Sequence, residues 1–402
     1  MSDTRARDRL DRRLAKQHLR PRHVRAVARA LAALHEEAER ARDEEGAGIP
    51  AALGHRVQEV AAKLESHAGR ALPRAALGAL LAEQRRFLVE GIDVLLDRLA
   101  DERIRALHGR LSCRSVWVGR ERRVRFAKPA PHARGDVAED VAGLALELRA
   151  RRGARLAELL AAAYAFAADD YGFYRVLDFY EREAACRLAL EAASAADPES
   201  GEPAPSAYAQ AALATAGLPS LVIAMGGAVA SGKSTVAKAI AQRIATPRIV
   251  ADRVREALLE PIPEGVVHEL VWDRTFSKGF AERVYQGVLR RAEAVLASGR
   301  AVVLDACFPD ATRRHEAAAL AERHGARFVF VHCDPPAAEI EARLRKRDVR
   351  DGAGWFAVAS DLAARWQPPG PGEPGALLRI DTSLPEKDWI ASLSRAFEAM
   401  NA

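Results

Sequence analysis

The pattern of apolar and polar positions changes once along the chain, close to its middle. In the first half, apolar residues recur at i, i+3 and i+4, which is the spacing of helices with one buried face. This spacing predicts helices near 21–44, 51–69, 74–100, 136–152, 154–168 and 172–194. Residues 115–126 instead alternate and turn at Gly119, which predicts one short β-hairpin inside a helical domain.

In the second half, short apolar runs rich in β-branched residues alternate with helical stretches. These runs are 221–226, 247–251, 301–306, 327–333 and 376–381. Continuous apolar strands separated by helices are typical of a parallel sheet that is covered on both faces. The second half is therefore predicted to be an α/β domain with a doubly wound parallel sheet, preceded by a mainly α-helical domain that contains the hairpin.

The segment between the two patterns is rich in Pro, Gly, Ser and Ala and has few large apolar residues. It predicts a linker over 196–219, with room for a short helix in its second half. The predicted domains are therefore 1–195 and 220–402. A chain of 402 residues agrees with this division, since a domain usually has roughly 100–200 residues.

The composition favours helices and gives the chain a net positive charge. Apolar residues make up 49% of the chain and aromatic residues 6%, which favours helices and argues against wholesale disorder. The net charge of +6 permits a polyanionic partner without requiring one. The N-terminus is charged throughout, and the longest apolar run, 159–168, is far shorter than the ~20 residues of a membrane span. We therefore expect a cytoplasmic protein with no membrane contact, while the oligomeric state is left open.

The strongest motif is the segment GAVASGKST, which fits G-x-x-x-x-G-K-[ST] in full and lies between a predicted strand and a predicted helix. Its glycines let backbone N–H groups surround phosphate oxygens, and the helix N-terminus adds partial positive charge. In this phosphate-binding loop (P-loop), Lys233 would reach the β- and γ-phosphates of ATP, and the Ser234 hydroxyl would ligate Mg²⁺. The predicted nucleotide-binding residues are Gly227, Ala228, Val229, Ala230, Ser231, Gly232, Lys233, Ser234 and Thr235. The predicted fold class is thus an α/β P-loop NTPase domain behind a helical domain.

Acidic residues follow two further strands of this predicted sheet. Asp252 comes directly after the second strand, where it would accept the proton of an acceptor hydroxyl during phosphoryl transfer. Arg255 lies on the same face of the next helix and would hold an anionic group of the acceptor. Asp305 ends the third strand and is the predicted partner of Mg²⁺. The alternatives are a helix cap for Asp252, a solvated face for Arg255 and a turn aspartate for Asp305.

A helix after the fourth strand carries Arg343, Arg345 and Arg347. Arginines at this position can close over the nucleotide and neutralise charge on the transferring group. Arg343 and Arg347 share a helix face and are the predicted catalytic pair, although a run of charges is also typical of a solvated surface.

Residues 219–400 resemble the small P-loop kinases known as predicted kinases, zeta-toxin-like ATPases and polynucleotide 5′-hydroxyl kinases. The resemblance lies in GGAVASGKST, ADRVR, VVLDACF, RLRKR and RIDTS, and it implies catalytic roles for Lys233, Ser234, Asp252 and Arg347 or Arg343. It also implies that Arg255 binds an acceptor phosphate if the substrate is a polynucleotide. The family's S-D-A after the lid helix is replaced here by Arg350-Asp351-Gly352-Ala353-Gly354, which puts lid closure in question.

Residues 7–195 resemble the C-terminal lobe of aminoglycoside-phosphotransferase-like proteins, through HGRL at 108–111 and RGDVAEDVA at 134–142. The resemblance implies a lobe without catalytic residues, because Arg110 replaces the aspartate of H-G-D-L and cannot accept a proton. Asp136 and Asp140 are expected to brace the loop around His108. A basic run could bind a polyanion such as a nucleic acid, or be a solvated surface. The run comprises Arg103, Arg105, Arg110, Arg114, Arg120, Arg122, Arg123, Arg125 and Lys128, with Glu121 as the opposing acid.

These features favour an ATP- and Mg²⁺-dependent kinase that phosphorylates an acceptor hydroxyl, either a polynucleotide 5′-hydroxyl or a small molecule. Two alternatives remain open at this point. One is an ATP-binding regulatory module whose helical half docks a partner. The other is a zeta-toxin-like sugar-nucleotide kinase, whose catalytic core would look similar.

Overall fold

The computed structural model describes most of the chain. The described residues are 7–41, 48–66, 72–109, 111–130, 134–194, 203–214, 220–259, 278–351, 359–360, 363–364 and 366–401. The chain divides into two compact units, Met1–Gly217 and Leu218–Ala402. Each unit has its own buried apolar cluster.

The first unit is mainly helical. Its helices are α1 (Leu10–Ala15), α2 (Pro21–Glu37), α3 (Ile49–Ser66), α4 (Arg74–Glu90), α5 (Ile92–Ala100), α6 (Ala138–Ala150), α7 (Ala154–Ala168), α8 (Tyr174–Ser194) and α9 (Pro205–Leu213). Its strands are β1 (Ile104–Ala106), β2 (Val116–Val118), β3 (Val124–Phe126) and β4 (Arg134–Asp136). Antiparallel pairing of β2 with β3 confirms the predicted hairpin, and the described residues also contain a β1–β4 pair that the sequence pattern did not predict.

Two predicted helices of this unit are shorter than expected. The helix predicted over 74–100 breaks at Gly91, where the backbone approaches Phe87 so closely that a Cβ would lie 2.7 Å from its carbonyl oxygen. The helix predicted over 21–44 ends at Glu37. The following residues turn extended and pair with β1, since the Ala106 N–H donates to the Glu39 carbonyl at 2.8 Å.

Part of the predicted linker over 196–219 is a helix, as its sequence allowed. Residues 205–213 of this segment form helix α9, and its side chains Tyr208, Ala209 and Ala212 are buried in the apolar cluster of the first unit. The small alanines let α9 approach helices α6 and α8 closely, which a Pro- and Ala-rich composition does not reveal. The described part of this segment therefore belongs to the first unit.

The second unit alternates strands with helices, as predicted. Its strands are β5 (Leu221–Gly226), β6 (Arg248–Val250), β7 (Val302–Asp305), β8 (Arg327–Cys333) and β9 (Ala376–Ile380). Its helices are α10 (Lys233–Ile244), α11 (Ala251–Leu258), α12 (Lys278–Leu296), α13 (Ala311–Arg323), α14 (Ala337–Asp351) and α15 (Glu386–Asn401). Among the described residues, the strands form one parallel sheet with the order β6-β7-β5-β8-β9.

Helices cover both faces of this sheet. Helices α10 and α15 share one apolar cluster with β5 and β8, while α12 and α13 pack against the strands from the other face. The helix that follows β5 therefore lies on one face of the sheet, and the helix that follows β7 lies on the opposite face. Adjacent strands with this property form a crevice at their carboxyl ends, which is where open α/β sheets bind ligands.

Candidate functional site

The loop between β5 and α10 has a backbone that only glycine can adopt at two of its positions. Gly227 has φ +129° and Gly232 has φ +88°. A Cβ at Gly227 would lie 2.4 Å from the Cys333 carbonyl oxygen, and one at Gly232 would lie 2.9 Å from Thr382 Oγ1. The loop is thus folded tightly against the ends of the neighbouring strands, with its inner surface open to a cavity of about 1200 Å³.

The polar groups of this loop fit a bound phosphate chain. Lys233 Nζ donates to the carbonyl oxygens of Gly227 at 3.0 Å and Ala228 at 2.6 Å, so its ammonium lies within the loop. Ser231 Oγ is buried and has no hydrogen-bond partner among the described residues. Of the nine predicted loop residues, Ser231 is the one that does not line the cavity, so its hydroxyl lies behind the loop surface. The Lys233 ammonium does line the cavity and is a group that phosphate oxygens bind.

Ser234 and Asp305 are brought together at the mouth of the crevice. Ser234 Oγ donates to Asp305 Oδ1 at 3.0 Å, and Arg248 Nη1 donates to Asp305 Oδ2 at 2.9 Å. Burial raises the pKa of Asp305, against the opposing effects of Arg248 and the Ser234 hydrogen bond. A hydroxyl beside a buried carboxylate is an oxygen donor set that suits Mg²⁺, so the two predicted metal residues fit that ion.

Asp252 lies on the adjacent strand end, in the first turn of α11. Val250 is paired with Asp305 in the sheet, and Asp252 comes two residues after Val250. Asp252 and Asp305 therefore lie at the same edge of the sheet. Its side chain is 70% exposed, lines the cavity and accepts a hydrogen bond from Arg255. The structure therefore places the predicted base and the predicted anion-binding residue in one cavity with the P-loop.

The arginines predicted on α14 have different surroundings. Arg343 donates to Thr382 Oγ1 at 2.9 Å, to the Thr382 carbonyl oxygen at 2.7 Å and to the Ala230 carbonyl oxygen at 3.3 Å. Arg347 lines the large cavity. Arg345 is exposed and pairs with Glu341 on its own helix. Residues 352–354 of the altered lid segment lie outside the described part of the chain.

Thr382 connects the last strand to the P-loop. Its Oγ1 donates to the Ser231 carbonyl oxygen at 2.6 Å while it accepts from Arg343. A smaller cavity of about 230 Å³ lies on this side of the loop and is lined by Gly232, Thr235, Val236, Arg343, Thr382 and Trp389. Gly232, Thr235 and Arg343 line both cavities.

Sequence reasoning missed several residues that line or support the large cavity. Arg248 supports Asp305, while Tyr285, Arg313 and Lys346 line the cavity itself. Lys346 lies within the RLRKR segment but was not singled out there. The other three belong to no motif, because their roles depend on which strands and helices become neighbours. Trp366 also lines the cavity and stacks on His332, with ring centroids 5.3 Å apart.

In the first unit, the carboxylates of Asp136 and Asp140 have structural roles. Asp140 accepts from the His108 N–H at 2.7 Å and the Gly109 N–H at 2.9 Å, which confirms that it braces this loop. Asp136 instead forms a buried ion pair with Arg98, whose two nitrogens lie 2.6 and 2.8 Å from its oxygens. The expectation that Asp136 braces the His108 loop was therefore wrong, because Arg98 occupies its carboxylate.

Only some residues of the predicted basic run in the first unit are exposed to solvent. Arg105 is buried and donates to the carbonyl oxygens of His35 and Glu36, each at 2.8 Å. Arg103 lies near the buried Asp170. The exposed members among the described residues are Arg120, Arg122, Arg123, Arg125 and Lys128. Arg110 lies outside the described residues, so the loss of a catalytic base in this lobe stays a prediction.

The sheet order, the P-loop at the crevice and the Ser234–Asp305 pair define the second unit as a P-loop NTPase domain, which confirms the predicted fold class. Residues 222–367 match a family model described as an AAA domain. Within the described residues, no helix is long and apolar enough to cross a membrane.

The chain is also similar to known proteins. The uncharacterized protein Rv2004c of Mycobacterium tuberculosis is 27% identical over 387 residues, which cover 90% of this chain and 73% of that protein. A sugar kinase from Janibacter sp. is 20% identical with a TM-score of 0.34, covering 44% of this chain and 92% of that one. The APS kinase CysC of Mycobacterium tuberculosis, solved with AMPPNP and APS, is 20% identical with a TM-score of 0.32, covering 45% of this chain and 99% of that one.

Proposed function

We propose that the protein is an ATP- and Mg²⁺-dependent kinase that transfers the γ-phosphoryl group to an acceptor hydroxyl. The observation that carries this proposal is the position of Asp252. Its exposed carboxylate lines the same cavity as the P-loop and lies one strand away from the Ser234–Asp305 pair. A domain that only binds ATP has no need of such a carboxylate, whereas a transferase can use it to accept the proton of the attacking hydroxyl.

The residues divide into those that hold the nucleotide and those that act on the acceptor. The P-loop amides and Lys233 would bind the β- and γ-phosphates once Lys233 leaves its loop carbonyls. Ser234 and Asp305 would hold Mg²⁺, which neutralises charge on the phosphates. Arg343, Thr382 and the smaller cavity would receive the nucleoside end. Arg347 would neutralise charge on the transferring group.

In the transfer step, the acceptor oxygen forms a bond to the γ-phosphorus. The bond from that phosphorus to the bridging oxygen breaks, and ADP leaves with its electron pair. The hydroxyl proton passes to the carboxylate of Asp252, which Arg255 orients through its hydrogen bond. The phosphorylated acceptor, ADP and the proton held by Asp252 together account for all atoms of the two substrates.

A screen of labelled transfer tests the proposal. The full-length protein is incubated with γ-labelled ATP, Mg²⁺ and separate pools of RNA, DNA and small metabolites, and Lys233→Ala serves as the blank. We expect a labelled product in at least one pool with the wild-type protein and in none with the variant. ATP binding without any labelled product would contradict the proposal and favour a nucleotide-regulated binding module.

A further inference from the structure

Strand β9 ends beside the P-loop, and Thr382 connects the two. Its hydroxyl donates to the Ser231 carbonyl oxygen at 2.6 Å, although the two residues lie 151 positions apart in the chain. The contact is close, since a Cβ at Gly232 would lie 2.9 Å from Thr382 Oγ1 and 3.0 Å from Thr382 Cβ. Thr382 lies outside the P-loop motif, so the motif itself assigns it no part in phosphate binding.

Arg343 of α14 binds Thr382 as well as the loop. Its Nη1 donates to Thr382 Oγ1 at 2.9 Å and to the Ala230 carbonyl oxygen at 3.3 Å, and Nη2 donates to the Thr382 carbonyl oxygen at 2.7 Å. Its Nε donates to Glu339 Oε1 at 2.8 Å. These four hydrogen bonds use four of the five N–H groups of a guanidinium, which leaves Arg343 little capacity to bind a phosphate. We call Thr382 and Arg343 the loop clasp.

The loop clasp holds the part of the P-loop whose backbone is strained. Ala230 has φ +65°, in the left-handed region that is unfavourable for residues with a Cβ. The carbonyl oxygens of Ala230 and Ser231 are the two loop groups that the clasp binds. Ser231 is fully buried, so its carbonyl oxygen cannot turn to solvent if the hydroxyl of Thr382 is removed. Both effects favour a change in the loop backbone once the clasp is lost.

The same contacts orient a backbone amide of the phosphate site. All described peptide bonds are trans, so the C=O and the N–H of one peptide unit point in opposite directions. The Ser231 carbonyl oxygen points to Thr382, and the N–H of the same peptide unit, which belongs to Gly232, therefore points away from Thr382. Gly232 lines the large cavity and directly precedes α10, at whose N-terminus backbone N–H groups can bind phosphate oxygens. The clasp thus sets the direction of a phosphate-binding amide.

We propose that Thr382 is a positioning residue of the nucleotide site, whose hydroxyl fixes the Ser231–Gly232 peptide so that the Gly232 N–H is directed at a phosphate oxygen. Arg343 acts through Thr382 and the Ala230 carbonyl oxygen, not on the transferring group, which leaves that role to Arg347. The clasp keeps the free loop in the arrangement that binds phosphate, so no contact between Thr382 and the nucleotide is needed. This inference rests on the phosphate-binding part of the proposed function and does not require the transfer step.

Titration with two ligands tests this inference. The full-length protein is titrated calorimetrically with ATP and, separately, with inorganic tripolyphosphate, which has the phosphate chain without the nucleoside, both in the presence of Mg²⁺. Thr382→Val removes the hydroxyl and keeps the shape of the side chain. We expect the variant to bind both ligands about five- to tenfold more weakly, as for a loop that keeps the competent arrangement for about 10–20% of the time. Equal losses for the two ligands locate the effect in the loop.

Further variants assign the loss to the hydroxyl and to its partner. Thr382→Ser keeps the hydroxyl and should bind both ligands within about twofold of the wild type. Ser383→Ala removes the neighbouring hydroxyl, which donates to Asp381 and not to the loop, and should change neither affinity. The double variant Thr382→Val/Arg343→Gln should bind no more than about twofold more weakly than Arg343→Gln alone, because residues that act as one unit are not additive.

The outcomes separate this inference from the proposed function. A wild-type protein that binds neither ligand would overturn the proposed function, and the inference with it. Normal binding by both the wild type and Thr382→Val would overturn the positioning role alone. A loss confined to ATP would also overturn it, because Thr382 would then act on the nucleoside, and so would an equal loss in Thr382→Ser. If thermal melting shows that Thr382→Val does not fold, Thr382→Ala takes its place.

Discussion

The Lys233 side chain has to change its hydrogen-bond partners when the P-loop binds a nucleotide. Its ammonium donates to the carbonyl oxygens of Gly227 and Ala228, which are partners that it has to exchange for phosphate oxygens. A triphosphate is the stronger partner, because its oxygens carry negative charge and attract the ammonium more strongly than neutral carbonyl oxygens do. Binding should therefore depend on this single charge.

Lys233→Ala is expected to weaken ATP binding by at least about tenfold, as one ionic contact to the phosphates is lost. Isothermal titration with ATP and Mg²⁺ measures this. Lys238→Ala, on the exposed face of the same helix, is the control and should bind ATP as the wild type does. Equal affinity in the two variants would show that Lys233 does not contact the phosphates.

Gly232→Ala is expected to damage the loop by a different route. Its φ of +88° is strained for alanine, and the new Cβ would lie 2.9 Å from Thr382 Oγ1. We expect a loss of about 1–3 kcal/mol in the stability of the second unit together with weaker ATP binding, measured by urea unfolding and titration. Gly299→Ala, which also has positive φ but open space around its Cβ, separates backbone strain from the clash and should leave ATP binding unchanged.

Sequence alone identified the residues of the site that belong to motifs. Ser234, Asp252 and Asp305 follow strands or open helices, so their positions are fixed by local pattern and sheet edge. The roles of Arg248 and Arg313 could not be predicted, because no local sequence pattern marks an arginine on a strand or helix as part of a site. Their contacts with Asp305 and Tyr285 join segments more than 25 residues apart.

At the scale of elements, helix α6 positions a half-buried carboxylate, that of Glu139, whose ionisation is opposed by its surroundings. Burial raises the pKa of Glu139 to about 7, although Arg56 lies 3.0 Å away and counteracts the rise. Glu183 shares the same arginine at 3.2 Å and adds a second negative charge. The folded state therefore binds a proton at Glu139 that the unfolded chain releases near its ordinary pKa of 4.5.

This shift predicts how stability depends on pH. A raised pKa in the folded state stabilises the first unit below pH 4.5, and this contribution is lost as the pH rises to about 7. Glu139→Gln removes the titrating carboxyl group. The free energy of unfolding of the variant should therefore rise relative to that of the wild type by up to about 3 kcal/mol between pH 4.5 and pH 8. Urea unfolding across this range measures the difference. Glu121→Gln, at an exposed position, should show no such gain, and a flat difference for Glu139→Gln would contradict the assignment.

Helices and strands with a strong, continuous apolar pattern could be predicted from the sequence, whereas short strands and a helix break could not. All five strands of the parallel sheet were found within a residue or two, because buried apolar runs are unambiguous between helices. Strands β1 and β4 were missed because each has three residues and their pairing joins segments about 30 residues apart. The break at Gly91 was missed because the apolar period continues across it.

At the scale of the whole molecule, two units with separate apolar clusters make up the chain. The cluster of the first unit contains Leu80 and Tyr208, and the cluster of the second contains Ile223 and Val331. The P-loop, Ser234, Asp252 and Asp305 all belong to the second unit. The resemblance of the first unit to a phosphotransferase lobe stays a prediction, since a helical arrangement alone does not identify a family.

The fragment 218–402 is expected to fold alone and to bind ATP within about threefold of the full-length affinity, because every proposed nucleotide contact lies inside it. Circular dichroism and titration of the isolated fragment measure both properties. A folded fragment that has lost ATP binding would show that the first unit contributes to the nucleotide site.

The most direct test of the account compares two properties of Asp252→Asn, which keeps the shape of the side chain and removes its charge. ATP affinity should stay within about twofold of the wild type, while labelled transfer to the acceptor should fall by about 10²–10⁴. Asp388→Asn, at an exposed position of α15, should change neither property. Transfer by Asp252→Asn within tenfold of the wild-type rate would contradict the claim that this carboxylate accepts the proton of the alcohol.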